Sequence, residues 1–165
     1  MTREFYYETA GSRSQFRTFG RDPRQRLMHI LSLLGGPERS TFFFARVPDG
    51  VHFFQHLKNG GSSIFLQAAG TAETMTIECR RLDDDGGERL YVLGHGGPRS
   101  AEPTVRIEFN DGQNHTLVYP DEVFDASEAG EIFFSYFQTE RVPDKYALRL
   151  FDLDAPFDDQ RSSAD

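Results

Sequence analysis

The chain has 165 residues, a net charge of −8, sixteen phenylalanines, six tyrosines, no tryptophan and a single cysteine. That length gives one domain with room for a sizeable aromatic core, and lone Cys79 excludes an intrachain disulfide and fits a reducing compartment. No run of about 18 apolar residues occurs, which excludes a membrane-spanning helix, and the opening MTREFYYETA lacks the apolar core of a signal peptide, so a cytoplasmic protein is expected.

Residues 3–8 read as a first strand, followed by a polar, glycine-bearing connection to Gly20. Asp22-Pro23-Arg24-Gln25 then opens a helix, with Asp22 as N-cap, Pro23 at the first helical position and Gln25 where a capping box needs it. Leu27, Ile30, Leu31 and Leu34 repeat at helical spacing, and Gly35-Gly36-Pro37 stops the run.

From residue 40 the pattern predicts strand, turn, strand. Thr41–Val47 and Val51–Leu57 flank the hairpin-type turn Pro48-Asp49-Gly50, and Ser63–Ala69 and Glu73–Leu82 follow. In the last of these Met75, Ile77 and Cys79 alternate with polar residues, which gives one buried face and makes Cys79 a core residue rather than a reactive thiol. Arg89–Leu93, an alternating strand through Val105, Ile107 and Phe109, and His115–Tyr119 complete the series. Short connections favour an antiparallel meander.

A second helix begins in FDASEAGEIFFSYF (124–137), where Asp125 is the N-cap and Glu128 completes a capping box. Ala129, Ile132, Phe133, Tyr136 and Phe137 form its apolar face, with Phe134 at the boundary. Tyr146–Leu153 reads as a final strand, and 154–165 as a disordered acidic tail. The expected fold is α+β: a single domain over 1–153, a curved antiparallel β-meander of about six to eight strands with two helices packed on it.

Catalytic and metal motifs are weak. His52 and His56 are about 13 Å apart on an extended strand, too far for one ion. Asp83-Asp84-Asp85-Gly86 lacks the alternating ligands of a calcium loop. Gly94-His95-Gly96-Gly97 lacks the lysine of a phosphate loop, and no nucleophile elbow is present. No enzyme, cofactor or metal is therefore expected. Arg13, Arg17, Arg21, Arg24 and Arg26, interleaved with Phe16 and Phe19, form a candidate nucleic-acid patch, but overall acidity argues against it.

Charge is unevenly distributed. Residues 1–82 carry 11 Lys/Arg against 7 Asp/Glu, whereas residues 83–165 carry 7 against 19. Such an acidic half attracts basic protein surfaces; the bland alternative is that it keeps a phenylalanine-rich protein soluble.

The run Tyr119-Pro120-Asp121-Glu122-Val123-Phe124-Asp125-Ala126-Ser127-Glu128-Ala129, then Phe133, Tyr136-Phe137 and Thr139, then Val142-Pro143-Asp144, Tyr146 and Leu148-Arg149, resembles the ending of small immunity proteins from bacterial polymorphic-toxin systems. The resemblance covers residues 115–153. The family's glycine after the helix is replaced here by Glu140 or Arg141, and its tryptophan in the last strand is missing. It implies a small α+β inhibitor, made in the cytoplasm, that binds a cognate toxin and blocks its active site.

On this reading the partner is a cognate basic protein that targets nucleic acid or nucleotides, with no membrane and no direct nucleic-acid contact. The candidate partner-binding residues are Asp83, Asp84, Asp85, Asp121, Glu122, Glu131, Glu140 and Asp144, with Phe134 as an aromatic anchor. Two other readings stand beside it. One is a small-molecule-binding or enzymatic domain using the concave sheet face, with His52, His56 and Arg46. The other is a structural subunit that forms homo-oligomers through exposed phenylalanines.

Overall fold

A computed structural model describes residues 3–36 and 38–151. The predicted tail at 154–165 lies outside the described residues, as does the end of the predicted last strand. The architecture is α+β and antiparallel throughout, as the patterns predict. Its elements are β1 (Glu4–Thr9), β2 (Ser12–Phe16), α1 (Pro23–Ser32), β3 (Thr41–Val47), α2 (Phe53–Lys58), β4 (Phe65–Gly70), β5 (Met75–Leu82), β6 (Glu88–Gly94), β7 (Val105–Phe109), β8 (Asn114–Val118), a 3-10 turn (Pro120–Glu122), α3 (Ala126–Thr139) and β9 (Ala147–Leu150). Seven strands form one sheet in the order β2-β1-β3-β4-β5-β6-β9, and β7-β8 is a separate hairpin.

Two elements differ from expectation. Residues 51–57 are not a strand: Phe53, His56 and Leu57 meet the core at helical spacing, so this stretch becomes α2 with His52 as its N-cap. Its apolar pattern fits either period, and the helical turn, closed by the His56 amide on the His52 carbonyl at 2.9 Å, removes the extended geometry that separated His52 from His56. Residues 12–16 are strand β2 rather than connection. Ala10 and Gly11 both take positive φ, 52° and 72°, giving the two-residue turn that matches strand twist. Alanine at the first of these positions hides the signal.

Both sheet faces are covered. On the first, Phe42 and Phe44 pack under α1 and α3, Phe5 stacks on Phe44 at 4.8 Å, and Phe42 meets Phe133 at 5.1 Å. Alternation sends Tyr6, Ala45 and Val47 to the second face, where Phe53 of α2 closes over them. Farther along that face, Ile107 and Val118 of the hairpin cover Val92. Between α1 and α3, Gly130 lies so close to Met28 that a Cβ there would overlap it.

Helix ends follow the sequence with corrections. Asp22 accepts from the Arg24 amide at 2.9 Å, without a return bond from Gln25 among the described residues. Asp125 accepts from the Glu128 amide at 2.9 Å, but the Glu128 carboxylate turns away from the cap. Helix α3 ends at Glu140 in the left-handed region (φ 58°, ψ 23°), its N–H donating to the Tyr136 carbonyl at 2.7 Å. That conformation costs a non-glycine residue about 1 kcal/mol, which accounts for glycine being common at such a position. Among the described residues no helix is long and apolar enough to cross a membrane.

Candidate recognition cleft

Helices α1 and α3 leave part of the first sheet face uncovered. Where β5, β6 and β9 pass beyond the end of α3, the sheet floor lies open as a cleft of about 1240 Å³. Cys79 of β5, Tyr136 of α3 and Leu148 of β9 contribute its interior, and the β5–β6 turn and the segment after α3 form opposite walls. Cys79 is 3% exposed, and burial pushes its thiol up to about 11, so it stays protonated at neutral pH. Tyr136 is also 3% exposed, and desolvation holds its hydroxyl neutral.

The wall at the β5–β6 turn is a closed charge network. Asp83 accepts from the Tyr91 hydroxyl at 2.6 Å, from Arg89 at 2.9 Å and from Arg81 at 2.8 Å. Those bonds, the Tyr91 one foremost, hold its carboxyl below the usual range. Asp85 takes Arg89 in a two-pronged pair at 2.8 and 2.6 Å, plus the Gly87 amide at 2.9 Å, and its carboxyl is driven down by Arg89 first. Arg81 lies 4.6 Å over the Tyr91 ring.

Across the cleft, Arg46 bonds Asp49 at 2.8 Å and Glu140 at 3.1 and 3.3 Å, and Arg3 reaches Glu140 at 3.4 Å. The Arg46 Nε is sealed from solvent and has no partner among the described residues. Ser62 Oγ donates to the Arg46 carbonyl at 2.7 Å and therefore accepts from His56 Nε2 at 2.8 Å. His56 thus acts as a brace, and His52 stacks on Phe54 outside the cleft.

Of the predicted residues, the structure brings Asp83, Asp84, Asp85, Glu140 and Asp144 together in this cleft. It does not bring the other four to it. Glu131 pairs with Arg24 at 3.3 Å, and the Arg24 guanidinium covers the Phe134 ring at 4.7 Å. Asp121 is held by Arg99 at 2.8 and 2.9 Å. Glu122, expected on a surface rim, has a fully buried side chain that takes Arg149 at 2.9 and 2.9 Å and the Tyr119 amide at 2.8 Å. The helical pattern places Tyr136 in the core and says nothing of its hydroxyl. The signal was a tyrosine where phenylalanine would suffice for packing.

Two other ionisable groups carry unusual surroundings. His95 faces acceptors on both ring nitrogens: the Asp121 carbonyl at 2.7 Å from Nδ1, and the Glu128 carboxylate at 2.7 and 2.9 Å from Nε2. Glu128 also accepts from Tyr146 at 2.8 Å, and the imidazole stacks on Phe124 at 4.5 Å. Burial works against a charged ring, but the bonds to Glu128 and Asp121 outweigh it and raise the His95 pKa. Glu78 lies on the second sheet face between Gln67 and Val92, and burial pushes its carboxyl up to about 6. Set against known proteins, the chain matches no protein-family model and no curated protein.

Proposed function

We propose that this chain is a non-enzymatic protein-binding module of the immunity or inhibitor kind, which neutralises a cognate basic toxin in the cytoplasm through the cleft. The observation that carries this reading is convergence. Asp83, Asp84 and Asp85 on one wall and Glu140 and Asp144 on the other come from distant parts of the acidic half, yet line one concavity. Acidic groups gathered in a recess steer and orient a basic partner.

Two further observations support it. The shifted groups of the cleft are displaced away from neutrality: Cys79 and Tyr136 upward, Asp83 and Asp85 downward. Such groups serve as fixed charges and hydrogen-bond partners, whereas general acid–base work needs a pKa near the operating pH. The volume, about 1240 Å³, also exceeds the roughly 300–1,000 Å³ of typical small-ligand pockets, which suits a protein loop.

The test is binding to the protein encoded by the neighbouring gene, measured by calorimetry at low and high salt. Association that weakens with salt and with the double charge reversal Asp84→Arg/Asp144→Arg is the expected result. A partner that binds the reversed variant as tightly as the wild type would remove the acidic-cleft reading.

A further inference from the structure

Resting on that reading, the state of each polar group in the cleft specifies what the partner must insert. Of the guanidinium groups there, Arg46, Arg81 and Arg89 are all engaged by carboxylates of this chain. Among the described residues Asp84 and Asp144 meet no cation and Arg141 meets no carboxylate, so the unpaired charge is negative by one. The sealed Arg46 Nε is beyond the reach of any ligand.

Inside the cleft the decisive group is Tyr136. Its ring is packed in the aromatic core, 6.3 Å from Phe5, yet the residue also lines the cleft with Cys79 and Glu140 as charged or titratable neighbours. Its hydroxyl has no hydrogen-bond partner among the described residues and is not sealed from solvent, on a residue that lines the cleft. A tyrosine hydroxyl held neutral accepts a hydrogen bond through its oxygen. One helical turn on, Glu140 is shared by two arginines through bonds of 3.1 to 3.4 Å, and a carboxylate has about four acceptor positions. Asp144 stands exposed beyond it. Tyr136, Glu140 and Asp144 thus bring three oxygen acceptors to one segment of the cleft lining, with Arg141 between the last two.

We propose that the cleft is a receptor slot for one arginine side chain presented on a protruding loop of the partner. Tyr136 Oη accepts from its guanidinium, Glu140 pairs with it from the same wall, and the exposed Asp144 and Asp84 add longer-range attraction that salt screens. Arginine rather than lysine fits because a planar group with five donors can serve several separated oxygens at once, and it stacks on tyrosine faces as Arg81 already does on Tyr91.

The probe is acetyl-Gly-Arg-Gly-amide, titrated into the full chain carrying ring-labelled tyrosine and followed by NMR, beside its citrulline and lysine counterparts. The arginine peptide should shift the Tyr136 ring signals saturably. Tyr136→Phe, which keeps the packing, should weaken binding about tenfold, followed through the Tyr91 and Tyr146 ring signals that also line the cleft, and Asp84→Asn/Asp144→Asn should weaken it several-fold at low salt. Equal binding of the citrulline or lysine peptide overturns the slot, as does the absence of any Tyr136 shift. The neighbouring-gene protein separates this from the reading beneath it. If that protein binds wild type and Tyr136→Phe equally, the slot fails and the binder reading stands. If the peptide fills the cleft but that protein does not bind, the slot stands and the inhibitor reading fails.

Discussion

Replacing Glu78 with glutamine tests how much an unpaired carboxylate on the second sheet face costs the fold. Glu78 lies in β5 beside Gln67 of β4 and Val92 of β6, under the layer that includes the β7–β8 hairpin. No described residue donates to its carboxylate, and the nearby Arg149 is committed to Glu122. Burial raises its pKa from 4.5 to about 6, the Arg149 charge opposing only in part. A carboxyl whose pKa is higher folded than unfolded binds its proton more tightly in the native state. Its favourable contribution is complete below the unfolded value of 4.5 and is lost as pH rises through about 6. A rise from 4.5 to about 6 corresponds to about 2 kcal/mol; because the side chain keeps some solvent contact, about 1–2 kcal/mol is the working figure. Glu78→Gln keeps shape and removes the charge. It should match the wild type at pH 4 and be more stable by about 1–2 kcal/mol at pH 8, measured by urea unfolding at pH 4, 6 and 8 with unchanged m-value. A difference that does not vary with pH, or a variant less stable at pH 8, would refute the reasoning.

Removing Glu122 should be far more damaging: Glu122→Ala strands the Arg149 guanidinium and the Tyr119 amide and should cost about 3–5 kcal/mol in urea unfolding. His95, with both nitrogens facing acceptors, should titrate above an ordinary histidine by NMR, and Glu128→Gln should bring it down. Since its folded pKa is raised, the stability it contributes is complete below about 6.5 and disappears as pH rises through the folded value, so His95→Gln should cost most at low pH. Gly130→Ala should destabilise by about 1–3 kcal/mol through overlap with Met28, despite better helix propensity, and the added change Met28→Ala should recover part of it.

Local chemistry in the sequence located α3, β5 and β7, because a cap, a turn or a strict alternation marks each one. It misread residues 51–57, whose apolar spacing fits a strand and a helix equally, and it missed β2, whose turn carries alanine where asparagine would announce it. The candidate site was half legible. Charge alone nominates Asp83 and Glu122 equally, yet one lines the cleft and the other is buried against Arg149. That choice is made by which arginine the tertiary fold delivers, a relation between residues 122 and 149 that no short window contains. Tyr136 was hidden for the complementary reason: its ring satisfies the core pattern so well that its hydroxyl goes unnoticed.

The sheet order has a consequence for synthesis. From β1 to β6 the strands of the main sheet are laid down close to chain order, so those ladders can close as the chain emerges. The last strand, β9, returns to β6 only after the hairpin and α3 have been made. Tyr136, Glu140, Asp144 and Leu148 all belong to this late segment. A nascent chain thus displays the Asp83–Asp85 turn well before it has the opposite wall, and the cleft is completed only late in synthesis.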